Sequence, residues 1–143
     1  MPTTDAAAAA ATATAKPPVT CHVLDTTIGR PAPNVNCTLL HYPPAADSPA
    51  PTALATGRTN ADGRVTAWSS DSGGAPPLLQ PLVAKGGVFK IRFEVGEYFA
   101  RTGQETFFPF VEVAFRVPGA GGSEHYHIPL LLAPWGFSTY RGS

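Results

Sequence analysis

Two histidines stand one residue apart at the head of an apolar run, His125 and His127 in HYHIPLLLAP, and a third, His22, lies far upstream in VTCHVLD. On a strand, His-X-His aims both imidazoles to one side, and His22 would complete a three-nitrogen set like that of a catalytic zinc site. No Cys/His cluster and no Asp or Glu at ligand spacing accompanies them, so no metal is expected. A serine nucleophile is a second chemistry: Ser143 or Ser138 with His127 and Asp25 would make a triad. Yet no Gly-X-Ser-X-Gly elbow occurs in the sequence, and a serine in the last position is poorly held. A third chemistry asks for less. One histidine activates water directly, and an arginine holds an anionic substrate or intermediate.

These groups have to be positioned by strands. VTCHVLD (19–25) alternates, with Val19, Cys21 and Val23 on one face and Thr20, His22 and Leu24 on the other. VNCTLLHY, VFKIRFEV and FPFVEVAFRV read as further strands. ALATGRTN and RVTAW read as a pair joined by a hairpin-type turn, NADG (60–63). GEYFARTG breaks the alternation and is expected to form one short helix. Residues 69–87 read mostly as loop, and FSTYRGS as the last strand. Seven or eight short strands separated by turn signals predict an antiparallel β-sandwich. In the 125–132 strand, His125, His127, Pro129 and Leu131 share one face, while Tyr126, Ile128, Leu130 and Leu132 take the other. A strand largely apolar on both faces is covered on both sides, and an oligomer interface is the simplest cover. His41 and His125 read as ordinary hydrogen-bonded strand residues.

The 143 residues fit one domain. Residues 1–18 are rich in Ala, Thr and Pro and are expected to be a disordered leader, with the folded domain spanning 19–143. Ten basic and ten acidic residues give no net charge, so nothing points to nucleic acid or to an anionic membrane. No apolar run approaches a membrane span. Cys21 and Cys37 are expected to be reduced and buried, in an intracellular rather than a secreted protein.

Three segments in order, CHVLDTTIGRPA (21–32), GRTNADGRV (57–65) and HIPLLLAPWGFSTYRGS (127–143), are similar to those of the 5-hydroxyisourate hydrolases, the transthyretin-related proteins of purine breakdown. The resemblance covers about Val19 to Ser143. Tyr-Arg-Gly-Ser is its most specific piece, because the hormone-carrying transthyretins lack it. Ala133 and Trp135 depart from the serine and tyrosine frequent in the family.

The resemblance implies a transthyretin-like sandwich of two four-stranded sheets with one short helix, assembled as a dimer of dimers with active sites in the channel between dimers. It assigns catalytic roles to His22, Arg64, His127 and Ser143, and substrate contacts to Tyr140, Arg141 and Gly142, leaving His125 as the neighbour of the catalytic group. It implies no metal and no organic cofactor. The reaction implied is ring opening of the small molecule 5-hydroxyisourate in urate degradation, in the cytoplasm or peroxisome. A carrier of a small aromatic ligand in the same channel is the alternative. Arg141, Gly142 and Ser143 are expected to border a cavity shared between subunits.

Overall fold

The computed structural model describes residues 17–44, 50–71, 73–77, 79–119 and 125–143. The expected leader lies outside the described residues apart from Pro17 and Pro18, as do the middle of the 43–51 loop and most of the PGAGGS turn. Among the described residues the strands are β1 (Val19–Asp25), β2 (Arg30–Pro31), β3 (Asn36–Tyr42), β4 (Thr52–Arg58), β5 (Arg64–Val65), β6 (Gly87–Phe93), β7 (Val111–Val117), β8 (Tyr126–Ala133) and β9 (Gly136–Thr139). Two helices, α1 (Leu79–Lys85) and α2 (Val95–Arg101), flank β6.

One sheet runs β2-β1-β8-β9, with β5 also on β1, and the other runs β4-β3-β6-β7. The all-β sandwich expected from the alternation is the architecture observed. Val19, Cys21 and Val23 of β1 and Leu130 and Leu132 of β8 face Leu39, Phe89, Ile91 and Phe93 of the other sheet, all essentially without solvent contact. Each such side chain is worth about 1.5–3 kcal/mol in removed apolar surface. Cys21 and Cys37 are buried free thiols in this core. A hydrogen bond between them, reinforced by burial, pushes the Cys37 thiol far up, so it stays protonated.

Four details differ from the sequence reading. The first sheet has five strands, because two-residue β2 and β5 share the outer edge of β1. β1 and β8 pair in parallel over seven residues, Val19↔Tyr126 to Asp25↔Leu132. Parallel neighbours need a long crossover, and here most of the sandwich lies between them in sequence. The NADG turn makes no hairpin. It carries the chain from β4 in one sheet to β5 in the other. Finally, part of the proline-rich 69–87 segment is helical. Leu79 and Val83, one turn apart, are buried, and Pro81 sits in the first turn, where a backbone N–H has no partner within the helix.

α2 is the helix expected from GEYFARTG. Val95, Tyr98 and Phe99 face the core, the i, i+3, i+4 stripe of an amphipathic helix. The Tyr98 hydroxyl donates to Asp25 Oδ2 at 2.7 Å, while the Thr27 N–H donates to Oδ1 at 3.0 Å. The aspartate of the HVLD stretch therefore ties α2 to the end of β1. Among the described residues, no helix is long and apolar enough to cross a membrane.

Candidate active site

The outer face of the first sheet collects the chemistry. Alternation turns Thr20 and His22 of β1 outward while Cys21 and Val23 go to the core. The parallel register sets Thr20 beside His127 and His22 beside Pro129. On the other side of β1, β5 sets Arg64 beside His22. Three strands far apart in sequence thus line up Arg64, His22 with Thr20, and His127 across one surface.

The NADGR stretch aims its arginine through a side-chain turn. Asn60 Oδ1 accepts the N–H of Asp62 at 2.9 Å and of Arg64 at 3.0 Å, an arrangement that Asn favours over a plain turn. Gly63 has φ +74°, and a Cβ there would lie 2.5 Å from the Val23 carbonyl oxygen. Only glycine permits both the left-handed backbone and that approach. The Val23 N–H donates to Gly63 O at 2.8 Å, which stitches the turn to β1 next to His22.

The rings of His22 and His127 stack with centroids 6.3 Å apart, and His127 lies 6.4 Å from His125 on its other side. The pKa of His22 is lowered, first by burial and then by the positive Arg64, with a backbone hydrogen bond at Asp62 and the Asp62 charge working the other way. Such a ring is neutral near pH 7 and accepts hydrogen bonds. Thr20 Oγ1 is 2.7 Å from His127 Nδ1 and 2.8 Å from His125 Nε2. His125 Nδ1 donates to the Pro17 carbonyl at 2.9 Å. Both ring nitrogens of His125 are thereby engaged, which works against the three-histidine zinc set. Asp25 is occupied by Tyr98 and Thr27, so the residue that orients His127 is a threonine, not the aspartate of the triad considered from sequence.

A cavity of about 340 Å³ is bordered by Thr20, Arg64, Thr66, His125, His127 and Ser143. A second hollow of about 280 Å³ lies against His127 and includes Tyr140, Arg141, Tyr126 and Arg116 in its walls. The Tyr-Arg-Gly-Ser stretch is therefore split around His127. Tyr140 and Arg141 face one hollow, with the Arg141 guanidinium 5.4 Å from the Tyr126 ring centre, and Ser143 faces the other. Gly142 lies between them and bridges back to His127. β9 ends at Thr139, so the expected strand through Ser143 stops short, and Gly142 returns to β8 through its isolated bridge to His127.

Sequence reasoning missed Thr20 and Thr66. Thr20 carried one signal, its place on the same strand face as His22, but its partner His127 is 107 residues away and only the parallel pairing joins them.

A model of the HIUase/transthyretin family matches residues 19–142. A protein of Schizosaccharomyces pombe named a probable 5-hydroxyisourate hydrolase is 42% identical over 129 residues, covering 89% of this chain and 92% of that one. The solved 5-hydroxyisourate hydrolase of Klebsiella pneumoniae superposes with a TM-score of 0.62 at 34% identity, covering 87% and 92%. Sea bream transthyretin in complex with thyroxine superposes at 0.69 but is only 27% identical, covering 87% and 94%. The two solved structures share this backbone, while the sequence is more similar to the Klebsiella hydrolase than to the sea bream transthyretin, 34% against 27%. With a family model matched over its folded length and a relative this similar end to end, the chain belongs to the HIUase/transthyretin family.

Proposed function

We propose that this chain hydrolyses 5-hydroxyisourate, opening the cyclic amide of the six-membered ring to give 2-oxo-4-hydroxy-4-carboxy-5-ureidoimidazoline on the route from urate to allantoin. The observation that carries the reading is the convergence of His127, a neutral His22 and Arg64 on one sheet face, in a chain similar to proteins named 5-hydroxyisourate hydrolase. His127 and His22 share the activation of water and the delivery of its proton. Water oxygen bonds to the ring carbonyl carbon as its proton passes to imidazole. Arg64 offsets the charge of the tetrahedral oxyanion with its two-pronged donor. The C–N bond then breaks, and the imidazolium returns the proton to the leaving nitrogen. Ser143 positions water or substrate. Tyr140, Arg141 and Gly142 shape the adjoining wall. No step calls for a metal or an organic cofactor.

The carrier reading has less behind it. A carrier gains nothing from a neutral histidine stacked on a second one beside an arginine. Residues 19–143 form the catalytic domain in this reading. The assembly is a dimer of dimers that closes the groove, since Phe107, Trp135 and Tyr140 each have more than half of their surface exposed in the single chain. Two buried free thiols fit a cytoplasmic or peroxisomal address.

The test generates 5-hydroxyisourate with urate oxidase and follows its ultraviolet decay with and without this protein. Acceleration over spontaneous decay is expected. An unchanged decay overturns the assignment.

A further inference from the structure

We infer that His125 and Thr20 form a directed hydrogen-bond relay that fixes the tautomer of His127, keeping the proton on Nδ1 and the lone pair on Nε2. The inference deepens the hydrolase reading and rests on it only for its catalytic consequence.

Direction follows from the end of the chain of bonds. The Pro17 carbonyl can only accept, so His125 Nδ1, at 2.9 Å, donates to it. In the neutral ring Nε2 then carries the lone pair, and its partner at 2.8 Å is the Thr20 hydroxyl. A hydroxyl has one proton, and here it goes to His125. Toward His127 Nδ1, 2.7 Å away, Thr20 must therefore accept. His127 holds its proton on Nδ1, and its basic nitrogen is Nε2. Each donor in such a series strengthens the next.

The anchor is rigid. Pro17 and Pro18 have fixed φ, and the Pro18 carbonyl accepts the Tyr126 N–H at 2.9 Å, so both prolines are held against the start of β8. The arrangement does what an aspartate does for the histidine of a triad, setting tautomer and orientation, but without a charge. Thr20 and His125 are thus positioning residues, which act through His127.

Nitrogen-15 NMR of the labelled full chain reads the tautomer directly. The wild type should show His127 protonated at Nδ1. Thr20→Val keeps the shape and strand preference of threonine and removes the hydroxyl. It should shift His127 toward the Nε2-protonated form and lower kcat about tenfold or more, in proportion to the competent fraction, with KM changed less than about twofold. Thr20→Ser should restore both readouts. His125→Phe keeps a ring beside His127 but frees the Thr20 proton, and should shift the tautomer in the same direction. Unchanged His127 nitrogen shifts in Thr20→Val and His125→Phe overturn the relay. A shifted tautomer with unchanged kcat upholds the relay and overturns His127 as the base.

Discussion

Gly142 donates its backbone N–H to the His127 carbonyl at 2.9 Å, and it lies so close to the imidazole that a Cβ on it would stand 2.6 Å from His127 Cδ2. The small residue in the Tyr-Arg-Gly-Ser stretch is thus a packing requirement of the histidine. The cause is proximity rather than a left-handed backbone.

Gly142→Ala should therefore push either the imidazole or the chain after Thr139. Turnover should fall about tenfold or more, since small displacements of a reacting group are costly. Thermal stability should change little, because the contact lies at the sheet edge. Steady-state kinetics beside a melting curve measure both. Wild-type turnover would show that the site tolerates the displacement.

His127→Asn should keep the fold, because the ring is only half-buried and lies outside the core. Its turnover should drop by roughly 10²–10⁴, the usual contribution of a positioned acid–base group. Circular dichroism and the ultraviolet assay check the two halves. Retained activity would remove His127 from the mechanism.

His22 should titrate below 6.5, lowered first by burial and then by the arginine charge, and Arg64→Gln should raise its pKa by removing the second of these causes. Proton NMR of the ring across pH 4–8 tests this. The sign for stability follows from linkage. Above about 6.5 the ring is neutral in both folded and unfolded chains, and His22 contributes nothing. As pH falls below that value the unfolded chain takes up the proton first, so stability decreases until the lowered folded pKa is passed. A His22 pKa above 6.5 would contradict the environment described.

Truncation separates the two ends. Removing residues 1–16 should leave kcat and KM unchanged. Extending the deletion through Pro18 should lower kcat, because the Pro17 and Pro18 carbonyls hold His125 and Tyr126. Deleting 141–143 should also lower kcat, since it takes away Ser143 and the Gly142 contact. Equal rates for the two amino-terminal deletions would show that the prolines do not matter to catalysis.

Much of the fold was legible because it is written in local periodicity. Phe89, Ile91 and Phe93 alternate with Lys90 and Arg92 and are buried as that pattern demands. The face shared by His125 and His127 follows from the same parity, and so does the outward turn of His22. Helix α1 was hidden by Pro81 and the prolines before it, although a proline in the first turn does not break a helix. The family resemblance singled out His22, Arg64 and His127, and the structure gathers them on one sheet.

Sequence by itself determined which residues are strand, which side of each strand is apolar, and which polar groups must therefore face outward. Tertiary structure alone decided who their neighbours are. A period of two speaks only for its own strand, whereas register between strands is set by packing over the whole sandwich. Thr20 is an unremarked hydroxyl until the parallel pairing of β1 with β8 brings His127 within 2.7 Å of it. NADG is a plausible hairpin until β5 pairs with β1 instead of β4 and delivers Arg64 to His22.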